Sequence, residues 1–357
     1  MTSEPIRLAR PDVGEAELAA VAEVLASGQL TMGPRVDAFE RAVANAVGTA
    51  HAVAVSSGTA ALHLSMLAIG IGEGDEVVVP AYTFPATANA VELCAAHAVL
   101  VDVDPETFLM RPELVGDALT SRTRAVLAVH LFGRPVEWEE LQTVVPQEVV
   151  LVEDAAGALG ARYRDTPCGA LGLLACLSFH PRKIVTTGEG GAVTTDEAEL
   201  AEAVRRFRHH GITADGAVDI EQPGPNYRLP DVLCALGIPQ LERLEALLAA
   251  RERVAGWYTE RLEHLVATPC AGEGDRHGWQ AYVVRLDRRD EAMAGLRAEG
   301  IETQIGTYAL HRLSAYRDRG SFPGAVAAFE RALALPFAST MTEEQVDRVA
   351  TALARYV

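Results

Sequence analysis

Between residues 50 and 195, short apolar and β-branched runs alternate with stretches whose apolar residues recur at helical spacing. The runs cover 51–55, 76–80, 99–103, 125–130, 149–153, 175–179 and 191–195, and segments such as 60–69, 86–95 and 138–145 fit helices between them. Strands bounded by turns and separated by helices predict β-α-β units and a mostly parallel sheet covered on both faces. Ligands of such sheets bind beyond the carboxyl ends of the strands. From 231 to 265 the spacing of Leu236, Leu241, Leu244, Leu247 and Leu248 predicts one long helical stretch. The pattern then changes: 281–286 and 303–305 read as strands, 291–299 and 343–356 as amphipathic helices. The expectation is an α/β protein with a large domain over 1–250 and a smaller C-terminal α+β domain over 251–357. No internal repeat or low-complexity tract interrupts it.

Composition narrows the function classes. Hydrophobic residues make up 49% and charged residues 22%, the balance of a globular chain. No apolar run reaches the ~18–20 residues that span a bilayer. The start, from Met1 to Arg7, lacks a basic stretch followed by an apolar one, so the expectation is a cytoplasmic protein without a secretory signal. The formal net charge of −18, from 31 Lys and Arg against 49 Asp and Glu, argues against nucleic-acid or membrane partners. An anionic ligand would have to be held locally, by Arg, Lys or helix N-termini. Cys94, Cys168, Cys176, Cys234 and Cys270 are odd in number and scattered, which predicts reduced thiols with no disulfide or metal role.

Three constellations carry chemistry. Val55-Ser-Ser-Gly58-Thr59-Ala60 takes a strand into a helix, whose N-terminal amides and positive dipole end suit a phosphate. It also reads as an ordinary capped turn. The strand 149–153 runs into Asp154, at the carboxyl edge of the sheet. A carboxylate there could keep a cofactor's pyridine nitrogen protonated, ligate Mg²⁺, or merely cap the next helix. No phosphate-loop motif of the G-x-x-x-x-G-K-[ST] type occurs, which weakens the nucleotide-hydrolase reading. Finally, Ser178 ends a strand, and Lys183 follows in a loop that leads through Gly188-Glu-Gly-Gly191 into another strand. Burial and the adjacent Arg182 would lower the pKa of that lysine, as an imine-forming amine needs. Gly70, Gly72 and Gly74 mimic a dinucleotide fingerprint, but they follow a helix and precede a strand, the reverse of the required order. His209 and His210 are adjacent and make a poor metal pair.

In this order the motifs resemble the sugar aminotransferases of the DegT/DnrJ/EryC1/StrS family, over nearly the whole chain. The likeness runs from Gly33-Pro34 and Phe39-Glu40 through the 54–62 turn, Pro80-Ala-Tyr-Thr-Phe84-Pro-Ala-Thr87 and Val129-His-Leu-Phe-Gly133. It continues with Glu153-Asp-Ala-Ala156, the Lys183 loop, Asn226-Tyr-Arg228, Gln240-Leu241 and Met341-Thr-Glu-Glu344. The resemblance implies an aspartate aminotransferase-like, type I fold for pyridoxal-phosphate (PLP) dependent transferases. It further implies a Schiff base on Lys183, Asp154 at the pyridinium nitrogen, and the phosphate on Gly58, Thr59 and Ser178. Phe84 would lie on the ring. Asn226 would reach the partner's phosphate across a homodimer with shared active sites. Tyr82, His130, His180, Arg228, Tyr308 and His311 would line the substrate pocket.

The implied reaction takes an amino group from L-glutamate, through pyridoxamine 5'-phosphate, to a keto sugar nucleotide. A cyclitol or other small ketone is the alternative acceptor, and a catalytically silent PLP-binding regulatory protein or an NAD-binding enzyme are the readings from other classes. Lys183 itself argues against the dehydrating relatives, which carry His there. Two positions depart from the family pattern. Gly157 stands where Gln or His reaches the cofactor's phenolic oxygen, and Gly306-Thr-Tyr-Ala-Leu-His311 replaces the usual His-Tyr-x-Pro-Leu-His loop.

Overall fold

The computed structural model describes residues 4–213, 219–220 and 222–357. Two helices, α1 (Glu15–Ser27) and α2 (Pro34–Val47), precede β1 (His51–Val55), α3 (Gly58–Ala68), β2 (Glu76–Pro80) and the short β3 (Tyr82–Thr83). Then follow α4 (Ala86–Glu92), β4 (His97–Val101), α5 (Pro112–Ala118), β5 (Thr123–Val129), α6 (Trp138–Val144) and β6 (Val150–Asp154). A small hairpin, β7 (Arg162–Tyr163) and β8 (Thr166–Pro167), leads to β9 (Leu174–Ser178), β10 (Gly191–Thr195) and α7 (Ala198–Arg208). The remainder comprises α8 (Asp231–Glu242), α9 (Leu244–Leu262), β11 (Tyr282–Arg285), α10 (Arg289–Ala298), β12 (Gln304–Ile305), β13 (Tyr308–Ala309), α11 (Pro323–Arg331), β14 (Ala332–Leu335) and α12 (Glu343–Leu353).

Seven strands form one sheet in the order β1-β10-β9-β6-β5-β2-β4. The run β9-β6-β5-β2-β4 is parallel; α4, α5 and α6 cross between β2, β4, β5 and β6, while the β7–β8 hairpin makes the passage from β6 to β9. The exception is β10, antiparallel to both β1 and β9. Its reversal sends the chain from the carboxyl end of β9 back through residues 179–190, so the Lys183 loop emerges beside the carboxyl end of β1, where α3 begins. Central strands read as continuous apolar runs because both faces are covered: Val77, Val78 and Val79 of β2 are each fully buried.

A second sheet, β11-β14-β12, is antiparallel throughout and shares a core with α9, α10 and α12. The predicted 231–265 helix is two helices. Pro239 removes a backbone donor inside α8, which ends at Glu242, and α9 starts beyond Arg243. Leu244, Leu247 and Leu248 of α9 pack with the α2 and β9 side of the large sheet, while Val254, Tyr258 and Leu262 pack into the second core. The four cysteines 94, 168, 176 and 234 are buried, Cys270 is exposed, and all five are free. Among the described residues, no helix is long and apolar enough to cross a membrane.

Candidate active site

The carboxyl ends of β1, β5, β6 and β9 open into a cavity of about 540 Å³. Ser57, Gly58 and Thr59 line it at the start of α3, Asp154 at the end of β6, Ser178 at the end of β9, and Lys183 from the loop that follows. Ser57 caps α3, accepting from Ala60 N–H at 3.0 Å. The Gly58 and Thr59 amides, in the first turn, have no intrahelical acceptor. A Cβ on Gly58 would come within 2.9 Å of the Ser178 Cβ, so glycine is what lets the helix start approach that serine.

Asp154 is buried and bonded by a relay. Thr87 Oγ1 donates to Oδ2 at 2.7 Å, and the Ala156 N–H reaches Oδ1 at 3.2 Å. Since the single Thr87 proton is used on Asp154, the Thr83 hydroxyl is the donor in its 3.1 Å contact with Thr87. Burial pushes the Asp154 carboxyl above its usual range, against the Thr87 and Ala156 bonds and the Lys183 charge. Lys183 moves the other way. Burial lowers its pKa to about 8; Asp154 opposes this, and Arg182 and Arg251 add to it. Among the described residues no hydrogen bond or ion pair occupies Lys183 Nζ. The loop that carries it is fixed by Gln240, which accepts from the Thr186 N–H at 2.9 Å and donates to the Thr186 carbonyl at 2.8 Å.

These groups fit PLP. Two unbonded amides beside a serine hydroxyl offer a phosphate site, a buried acid suits a protonated ring nitrogen, and an unpaired amine of lowered pKa suits an aldehyde.

The other expected residues are spread more widely. Phe84 and His180 line the cavity; Phe84 is exposed, its ring 6.2 Å from that of Tyr308. Tyr308 arrives by the β13–β3 pairing, opposite Thr83. Tyr82 is buried beneath, its hydroxyl accepting from the Thr307 N–H at 3.1 Å. A Cβ on Gly306 would meet that hydroxyl at 2.5 Å, which accounts for glycine at this departure from the family pattern. His130 borders the cavity but its ring is committed to the interior. Nδ1 accepts from Val136 N–H at 3.1 Å, so Nε2 carries the proton and donates it to Glu153 at 2.9 Å. His311 packs on Phe322, and Arg228 bonds to His209; neither lines this cavity. Asn226 is exposed and outside it.

Thr87, Thr307 and Gln280 belong to the site without having been singled out from the sequence, whereas Arg182 was expected beside Lys183 and lines the cavity. Thr87 stands in the first turn of α4 and Thr83 in β3, so their contact joins two elements and sequence spacing carried no signal for it. His130, Glu153 and Cys168 bring their ligand atoms within 4.8 Å of one another. However, Glu153 also accepts from the N–H groups of Gly169, Leu171 and Gly172 at 2.7–2.9 Å. This trio clips the 169–172 turn to β6.

The model of the DegT/DnrJ/EryC1/StrS aminotransferase family matches residues 11–354. The aminotransferase TlmJ from Streptoalloteichus hindustanus is 35% identical, with 98% of each chain covered and a TM-score of 0.94. The sugar aminotransferase CalS13 from Micromonospora echinospora is 29% identical, covering 98% of this chain and 99% of its own, with a TM-score of 0.92. Spr1654 from Streptococcus pneumoniae, in its PLP form, is 28% identical, covering 99% of this chain and 98% of its own, with a TM-score of 0.94.

Proposed function

The chain belongs to the DegT/DnrJ/EryC1/StrS aminotransferase family and is a PLP-dependent aminotransferase; from that premise we propose that it transfers the amino group of L-glutamate to a keto sugar nucleotide. The observation that carries the site assignment is the single cavity uniting Lys183, Asp154 and the α3 N-terminus. CalS13, a sugar aminotransferase of the same fold, supports a sugar acceptor.

On this reading the Gly58 and Thr59 amides and the Ser178 hydroxyl hold the phosphate, and Lys183 Nζ holds the aldehyde carbon. Asp154 keeps the ring nitrogen protonated, an arrangement that Thr87 supports by fixing one carboxylate oxygen. Bound there, the cofactor supplies an electron-accepting aromatic ring that stabilises negative charge at the amino donor's α-carbon. Once the donor's amine takes its place on the aldehyde carbon, the freed Lys183 Nζ would be the base that removes the proton from the α-carbon, and burial favours its neutral form. Phe84 covers the open side of the ring. Tyr308 lies against Phe84 and shapes the acceptor end.

The same proposal includes a homodimer in which Asn226 serves the neighbouring site. Its exposure outside its own cavity supports that role. So does the exposure of the apolar side chains Leu18, Leu25, Leu30 and Met32, which a partner could cover. It includes a large unit over 1–250 and a small one over 251–357.

The test is the absorption spectrum of the purified protein with PLP, before and after L-glutamate. A visible band that glutamate replaces with a near-ultraviolet one supports the donor half-reaction, and keto sugar nucleotides are then screened for restoring it. A band indifferent to glutamate rules that donor out. A protein that never develops the band overturns the assignment of Lys183.

A further inference from the structure

The site reading gives three parts of the cofactor a partner: the phosphate, the aldehyde carbon and the ring nitrogen. A fourth polar group, the phenolic oxygen beside the aldehyde-bearing carbon, carries negative charge and calls for a hydrogen-bond donor. Gly157, three residues beyond Asp154, has no side chain to offer. The space above it is filled from a distant part of the chain. A Cβ on Gly157 would lie 3.4 Å from Gln280 Cγ, 3.5 Å from Gln280 Cβ and 3.5 Å from its Oε1, all ordinary contact distances. Gln280 lines the same cavity as Lys183 and Asp154, and its carboxamide bonds to no other described residue.

The backbone beneath that idle amide is firmly held. Gln280 N–H donates to the Phe132 carbonyl at 3.0 Å. The buried Arg251 donates through Nη1 to the carbonyls of Trp279 at 2.9 Å and Gln280 at 3.2 Å. Trp279 sits at φ 47°, a left-handed conformation uncommon for a bulky residue. Gly133 makes the approach possible, since a Cβ there would stand 2.9 Å from Trp279 N and 3.0 Å from Gln280 N. Strain and a buried arginine are spent on presenting an amide that the protein itself does not use, which points to a ligand as its partner.

We propose that Gln280 is a cofactor-binding residue, donating from Nε2 to the phenolic oxygen across the space that Gly157 leaves open. The proposal rests on the cofactor site described above. A donor stabilises the anionic oxygen, and that oxygen bears most charge once the Lys183–cofactor link has lost its proton. The donor therefore lowers the pH at which the link deprotonates.

The experiment is a spectrophotometric pH titration of the PLP-loaded protein, with no substrate present. Gln280→Ala is expected to raise the midpoint by roughly half a unit or more and to weaken PLP binding several-fold. In that background Gly157→Gln, which returns an amide from the facing position, is expected to bring the midpoint back. A Gln280→Ala midpoint equal to that of the parent overturns the proposal, as does a shifted midpoint that Gly157→Gln leaves unmoved. A parent protein lacking the visible band fails at an earlier step, the assignment of Lys183, so the two failures are told apart.

Discussion

Lys183 titrates far from a lysine in water. Its amine is held at about pKa 8 by burial, with Asp154 pulling the other way. Only the neutral amine attacks an aldehyde, so PLP capture by the apoprotein is expected to speed up about tenfold per pH unit below 8 and to level off above it. Stopped-flow growth of the visible band measures this, and a rate still climbing through pH 10 would show an ordinary lysine. The same shift carries a stability cost. The folded-state pKa lies below the unfolded value near 10.5, so the unfolded state binds more protons between about pH 8 and 10.5. The cost is full below pH 8 and vanishes as pH rises through that window. Lys183→Met should therefore make the apoprotein more stable at pH 7, by about 1–3 kcal/mol in urea titrations, while abolishing transamination.

At the level of elements, β6 shows how one strand serves two purposes. Consecutive side chains point to opposite faces, so Glu153 turns to His130 and the 169–172 turn, while Asp154 turns to Thr87 and the cavity. Glu153→Ala strands four donors, one of them the buried His130, and should destabilise the fold by ~3–5 kcal/mol. Asp154→Asn should leave the unfolding free energy from urea titration within ~1 kcal/mol of the parent and depress turnover instead. The β6 run was legible in the sequence to within one residue, because a strand buried on both faces must be apolar and must stop at its first acids. The direction of β10 was not legible: Gly191–Thr195 is equally apolar whichever way it pairs, and only its neighbours decide. The division of the 231–265 helix had a signal in Pro239, masked by leucines that keep helical spacing across Arg243. Gln280 had no local signal at all. Its meaning comes from contact with Gly157, far away in sequence, and one glutamine before an apolar strand reads as a polar edge.

On the scale of the whole molecule, a net charge of −18 surrounds a site that must hold phosphate. Local amides, rather than the global field, have to supply the attraction, and the start of α3 is the element suited to it. If pairing completes the site, Asn226→Ala should weaken PLP binding without altering the visible band of the bound form. Equilibrium dialysis against PLP decides the matter, and an unchanged affinity would end the case for a shared site. Size-exclusion chromatography of the same variant separates loss of a contact from loss of the pair.

The helix α9 has one end in each core, and Arg251, midway along it, grips the backbone of Trp279 and Gln280 at the cavity wall. A rod embedded in two cores does not act as a free pivot. A shift of one core against the other would have to flex the rod or slide its leucines, and either would move the Trp279–Gln280 backbone at the cavity wall. If Gln280 meets the cofactor as proposed, a disturbance in either core is felt at the seating of the ring.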